Sequence, residues 1–175
     1  MRREIMKLRQ SLLACAMIVG LGATTAYAEK PKLLGTYGDW SAYSFNEGGK
    51  KVCYMVTQPI KAEGKYSSRG DIFALVTHRP SEKTKNVFSY ITGYTYKDGS
   101  DVSVNVNNKN FTLFTQKDMA WTPSQDEDNR LAENIRKGSK MIVKGKSSRG
   151  TLTTDTISLK GSGGAHDAIN KACGI

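Results

Sequence analysis

The chain has 175 residues, 26 basic against 16 acidic, a formal net charge of +10, and 38% hydrophobic and 24% charged residues. That length fits one domain with its own core, and no second domain or long linker is visible. A chain this basic would ordinarily point to nucleic acid, but its first residues argue against that partner by marking it for export.

MRREIMKLRQ places Arg2, Arg3, Lys7 and Arg9 beside a single acid, Glu4. The apolar run SLLACAMIVGLGA (11–23) follows, and then TTAYA, in which Ala26 and Ala28 form a small-x-small cleavage pattern. Basic head, short apolar stretch and A-x-A site together predict a secretory signal peptide over 1–28, cut after Ala28, with residues 29–175 as a single domain. The apolar run is too short for a membrane span, so no transmembrane segment is expected after cleavage. Cys15 follows Leu-Leu-Ala, as a lipidated cysteine would, but almost no apolar stretch precedes it. Losing four basic residues and one acid with the leader brings the charge from +10 to +7.

Beyond the leader the sequence alternates with period two. DWSAYSF (Asp39–Phe45) and KKVCYMVTQ (Lys50–Gln58) flank Asn46-Glu47-Gly48-Gly49 and read as a hairpin. DIFALVTH (Asp71–His78), NVFSYITGY (Asn86–Tyr94), VSVNV (Val102–Val106) and NFTLFTQ (Asn110–Gln116) follow as strands. Asn107-Asn108-Lys109 reads as a tight turn between the last two, because Asn tolerates left-handed backbone. Trp40, Tyr54, Phe111, Phe114 and Trp121 are expected as inward-facing aromatics. Ser124-Gln125-Asp126-Glu127 has capping-box spacing, and Arg136, Lys137 and Gly138 end the short helix it opens. SKMIVKG and TLTTDTISLKG are two more strands, GSGG around Gly163 reads as a flexible turn, and the tail AHDAINKAC is compatible with one or two helical turns. Many short strands with turn signals and one helix predict a mainly β fold, an immunoglobulin-like β-sandwich with a short helix and a short helical tail.

Two cysteines remain after cleavage, Cys53 and Cys173. In an exported chain they most simply form one disulfide; two free thiols are the alternative, and no C-x-x-C redox pair exists.

SSRG occurs twice, at Ser67–Gly70 and Ser147–Gly150, and the first copy continues into Asp71 to spell the adhesive tripeptide Arg69-Gly70-Asp71. Both copies precede a β-rich segment, so Gly70 and Gly150 are expected to supply positive φ at strand entry. Each arginine would then pair with a carboxylate, and Arg149 with Asp155 is the pair expected. That structural reading explains both copies, whereas adhesion explains one. No metal-ligand spacing, nucleophile elbow, zinc-protease motif or phosphate-binding loop is present, so neither metal nor cofactor is expected. His78, at a strand end, reads as a hydrogen-bonded surface residue. Lys50, Lys51, Lys61 and Lys65 form one basic cluster, and Lys137, Lys140, Lys144, Lys146 and Arg149 another. Their partners within reach are anionic envelope components, or they are solvated strand edges.

Several segments resemble one family, in order along the chain: GDWSAY (Gly38–Tyr43), KKVCYMVTQP (Lys50–Pro59), RGDIF (Arg69–Phe73) leading to THRP (Thr77–Pro80), FTLF (Phe111–Phe114) followed by MAW (Met119–Trp121), VKGKSSRGTLTTDTISLKG (Val143–Gly161) and AINKAC (Ala168–Cys173). They are similar to the invasion-associated locus B proteins of the alphaproteobacterial envelope. The resemblance implies a periplasmic or outer-membrane-associated protein, with a founding member linked to entry into red blood cells. It carries over Cys53 and Cys173 as a pair, with Trp40, Arg149, Gly150 and Asp155 as a folding signature, and no catalytic residue. Some relatives have a further cysteine where this chain reads Tyr43-Ser44-Phe45, so a second disulfide is not expected. The leading functional reading is an exported, non-enzymatic envelope binding protein, periplasmic, outer-membrane associated or secreted, and possessing no nucleic-acid partner. A surface factor contacting host cells is the alternative, and an unrecognised hydrolase using His78 or His166 is the third.

Overall fold

The computed structural model describes residues 29–175. The leader, its cleavage site and Cys15 lie outside the described residues. Eleven strands and two helices form in the order β1 (Lys32–Tyr37), β2 (Trp40–Glu47), β3 (Lys50–Thr57), β4 (Lys61–Gly64), β5 (Phe73–Arg79), β6 (Thr84–Ile91), β7 (Val102–Val106), β8 (Lys109–Gln116), β9 (Met119–Trp121), α1 (Gln125–Lys137), β10 (Lys140–Lys146), β11 (Leu152–Ser158) and α2 (Ser162–Cys173). A 3-10 turn at Pro80–Glu82 joins β5 to β6.

Every strand pairing is antiparallel, and the ladder runs β1-β2-β3-β5-β6-β9-β8-β7-β10-β11-β4. The ladder folds over within β8, whose residues 109–113 pair with β7 and 114–116 with β9, so that β2, β3, β5 and β6 face β7, β10 and β11 across one core. Trp40, Met55, Val76, Phe88 and Tyr90 from the first half meet Val104, Leu113, Met141, Val143 and Ile157 from the second, all 0 to 1% exposed. Trp40 crosses the core to donate from Nε1 to the Ser158 carbonyl at 3.0 Å. The protein is the mainly β sandwich the strand spacing predicts, its two sheets joined into one continuous ladder.

The turns match their residues. Gly48 and Gly49 (φ 56° and 79°) close the β2–β3 hairpin, and Asn107 and Asn108 (φ 52° and 62°) close β7–β8. Two successive left-handed residues give the turn whose twist fits flanking strands. At α1, Ser124 Oγ accepts from the Glu127 amide at 3.3 Å. The other half of the box does not form, because the Glu127 carboxylate pairs with Arg130.

The expected inward aromatics divide. Trp40 and Phe111 are buried, whereas Tyr54 lies outside against Tyr43, ring centroids 5.2 Å apart, and Phe114 stacks outside on Trp121 at 5.7 Å. Parity requires this: Phe111 and Leu113 point inward on β8, so Phe114 cannot. GSGG is not a free turn either, because Ser162, Gly163 and Gly164 open α2. Glycine is required before it: Gly161 has φ +88°, and a Cβ there would lie 1.9 Å from the Tyr37 carbonyl oxygen.

The Cys53 and Cys173 sulfurs are bonded, tying β3 to the end of α2 across 120 residues of sequence. Beside that bond lies a closed polar ring. The Asn86 amide donates to His78 Nδ1 (2.9 Å), and His78 Nε2 then donates to Asn170 Oδ1 (2.8 Å). Asn170 Nδ2 donates to His166 Nδ1 (3.1 Å), and His166 Nε2 returns to Asn86 Oδ1 (2.7 Å). His78, expected on the surface, is fully buried. Each imidazole has one donor and one acceptor in use, which fixes both as neutral. Burial lowers the His78 pKa. Burial, followed by the nearby His78 and Arg136, lowers that of His166 to about 4.

Candidate functional site: a cleft between the two Ser-Ser-Arg-Gly turns

The first SSRG lies in the β4–β5 connection and the second in the β10–β11 turn, and the two approach each other. Asp155 stands beneath them. Inward parity on β11 buries Thr153, Asp155 and Ile157, so Asp155 needs a cation within the core. Arg69 supplies it. Its guanidinium donates from Nη1 and Nη2 to the two Asp155 oxygens, each at 2.6 Å, with side chains only 4% and 1% exposed. The rest of the fork is also engaged: Nε donates to the Thr92 carbonyl at 2.7 Å and Nη2 to Thr92 Oγ1 at 3.0 Å. Tyr90 donates its hydroxyl to Asp155 Oδ2 at 2.5 Å. Burial opposes the Arg69 charge, but the Asp155 carboxylate more than offsets it and holds the guanidinium protonated. Burial, then the Asp155 charge, pushes the Tyr90 hydroxyl pKa upward.

The expected partner of Asp155 is therefore corrected: Arg69 takes the place foreseen for Arg149, which is exposed. The adhesive reading of Arg69-Gly70-Asp71 meets the same fact, since its arginine is consumed inside the domain. Gly70 is corrected too. Gly150 has the expected positive φ of 86°, whereas Gly70 serves for closeness. Its amide donates to the Gly93 carbonyl at 2.9 Å, and a Cβ on Gly70 would sit 3.3 Å from that oxygen.

Above this base opens a cleft of about 390 Å³, lined by Lys65, Tyr66, Ser67, Ser68, Tyr94, Thr95, Ser147, Ser148, Arg149, Thr151 and Thr153. It continues into a shallower depression at Gly64, Gly150 and Leu152. The Arg69 guanidinium carbon lies 5.6 Å from the Tyr66 ring centre and 5.0 Å from that of Tyr94, fixing both rings as walls. The second turn is held by backbone bonds within itself, Ser147 N to Thr151 O (2.9 Å) and Gly150 N to Ser147 O (2.8 Å), and by one to the β6–β7 connection, Ser148 N to Thr95 O (2.8 Å). The basic clusters legible in the sequence thus contribute Lys65 and Arg149 to one place, while Lys61 pairs with Glu63 and Lys137 with Glu133. Sequence reasoning missed the cleft, Tyr66, Tyr94 and Thr95 included. The repeated SSRG was its only signal.

His78 and His166, the candidates for a hydrolase, lie in the polar ring described above. Their hydrogen-bond partners are two asparagines and a backbone amide. Among the described residues no helix is long and apolar enough to cross a membrane.

The profile of the Invasion associated locus B (IalB) protein family matches residues 40–170. No curated protein matches the chain. Among solved structures the fold is similar to the invasion associated protein B of Bartonella henselae, with a TM-score of 0.55 and 14% identity over 79% of this chain and 95% of that one. By the profile match over three quarters of its length, the chain belongs to the invasion associated locus B family.

Proposed function

We propose that this chain is an exported, non-enzymatic binding protein of the cell envelope, and that the cleft between its two SSRG turns is its ligand site. The observation carrying this reading is the convergence of the two repeats. One spends its arginine on a buried base, and the other presents its arginine at the mouth of the cleft. A concave site with prefixed walls and exposed polar groups suits a ligand better than it suits chemistry. The leader pattern supports export, and family membership supports an envelope setting. Host contact through Arg69-Gly70-Asp71 is disfavoured by the burial of Arg69.

The test combines location with occupancy. Fractionation of the native organism under non-reducing conditions is expected to find the disulfide-bonded protein in the periplasm or envelope. Recovery only in the cytoplasm would end the proposal. Envelope extract should raise the melting temperature of the purified exported protein, as any ligand that prefers the folded state must. Ser148→Tyr, which fills the cleft from an exposed position, should abolish the rise while leaving the unliganded melting temperature unchanged.

A further inference from the structure

We infer that the ligand of this cleft is an anionic saccharide unit, a sugar ring bearing a phosphate or carboxylate. This rests on the cleft being a binding site, as proposed above. The charge argument comes first. Lys65 and Arg149 line the cleft and its adjoining depression, and no Asp or Glu does. Neither cation forms an ion pair among the described residues, so both remain available to a ligand. Asp155, the acid below, is already neutralised by Arg69. Two unneutralised cations at one concavity attract an anion and repel a metal ion or cationic ligand.

Hydroxyl groups make the second argument. Tyr94 Oη and Thr153 Oγ1 bond each other at 2.7 Å, Tyr66 Oη donates to the Ala62 carbonyl, and Ser147 Oγ accepts from the Thr151 amide. The hydroxyls of Ser67, Ser68, Thr95, Ser148 and Thr151 also border the cleft, and none of them has a side-chain hydrogen bond among the described residues. Five free donor–acceptor groups around a small cavity match a polyhydroxylated ligand, since each can both give and accept. A bare inorganic anion would use two or three of them. Tyr66, 37% exposed, adds a flat apolar surface for the C–H side of a sugar ring.

Size is the third argument. About 390 Å³ is at the lower end of small-ligand sites. The open side along Gly64, Gly150 and Leu152 leaves room for a saccharide to continue in either a glycan chain or a lipid anchor. The pinned turns lower the ordering cost of binding.

The experiment titrates the purified exported protein with glucose 1-phosphate, glucuronate, glucose and inorganic phosphate, by calorimetry and thermal shift at low and high salt. Glucose 1-phosphate or glucuronate should bind, more weakly as salt rises, and should bind at least tenfold tighter than glucose or inorganic phosphate. Lys65→Ala and Arg149→Ala, both at exposed positions, should keep the unliganded melting temperature and each weaken binding about tenfold. Phosphatidylcholine vesicles carrying a lipid-linked sugar phosphate separate the sources. Binding tighter than to the free sugar phosphate identifies a lipid headgroup, and equal binding a soluble glycan. Glucose binding as well as its phosphate, or phosphate alone binding as well as the sugar phosphate, overturns the ligand class but leaves the cleft reading standing. If envelope extract stabilises Ser148→Tyr as much as the parent protein, the cleft reading itself fails.

Discussion

Replacing Arg69 by Met, of similar length, leaves the Asp155 carboxylate buried with only the Tyr90 hydroxyl as a partner. The two side chains are 4% and 1% exposed, so water cannot take over the lost bonds. Breaking a buried pair from one side costs about 3–5 kcal/mol. The Thr92 carbonyl also loses its Arg69 donor, which keeps the expectation toward the upper half of that range. At roughly 2–4 °C per kcal/mol for a domain of this size, the melting temperature should fall by about 8–20 °C. Asp155→Leu should cost a similar amount, because it strands the guanidinium instead.

The double variant Arg69→Met/Asp155→Leu separates the pair from its surroundings. It removes both charges, so its loss should be well below the sum of the two singles, with the Tyr90 hydroxyl and Thr92 carbonyl accounting for what remains. Urea unfolding of all four proteins, with m-values compared, gives the coupling energy directly. Coupling of about 3 kcal/mol or more is expected. Single losses under about 1 kcal/mol that simply add in the double variant would mean that the pair behaves as if exposed, and would refute the buried-base argument.

Other perturbations read other parts of the fold. The folded pKa of His166 is about 4 against 6.5 for the free side chain, so on acidification the unfolded chain takes up its proton first. This histidine should therefore leave stability unaffected above about pH 6.5 and lower it progressively as pH falls from there toward 4, because protonation favours the unfolded chain. His166→Gln should flatten that slope relative to the parent protein in urea midpoints taken across the window. Removing the disulfide as Cys53→Ala/Cys173→Ala frees a loop spanning 120 residues and should cost up to about 4–5 kcal/mol by chain entropy, measured by the same unfolding assay. Gly150→Ala meets no atom within 4 Å and should lose only about 1 kcal/mol for its positive φ, whereas Gly93→Ala would place a Cβ 2.3 Å from the Gly70 carbonyl and should lose several times more. Equal melting temperatures for the two glycine variants would contradict that close approach.

What was legible in the sequence follows from where water sits. Strands with one wet and one dry face announced themselves, as β3, β5, β7 and β8 did with period two. α1 did so with Ser124 and its closing cations. The elements that escaped had no such contrast. β4 is exposed at all four positions, and β1, at the opposite edge, has no fully buried residue. β9 is three residues long, too short to show a period. α2 opens on Ser162-Gly163-Gly164, poor helix formers that read as a turn. Glycine is needed there for packing: a Cβ on Gly164 would lie 2.9 Å from the Tyr37 ring. The polar ring around His78 and His166 was illegible for a different reason, since it joins residues 80 to 92 positions apart that only the folded sheet and α2 bring together.

The cleft combines both kinds of difficulty. SSRG could be seen twice, but the four letters do not say which arginine goes inside. That is decided by the next strand. β11 begins two residues after Gly150, and its inward parity sets Asp155 below the turn and facing away from Arg149. The β4–β5 connection instead brings Arg69 within hydrogen-bond distance of both Asp155 oxygens. One arginine is thereby committed to stability and its repeat is left for the surface, so the two should separate in experiment. Arg69→Met should lower the melting temperature whatever ligand is present. Arg149→Ala should leave the melting temperature of the free protein alone and reduce only the increment that a cleft ligand adds. If both variants lowered free-protein stability equally, the division of labour between the two repeats would be wrong, and Arg149 would have a structural partner of its own.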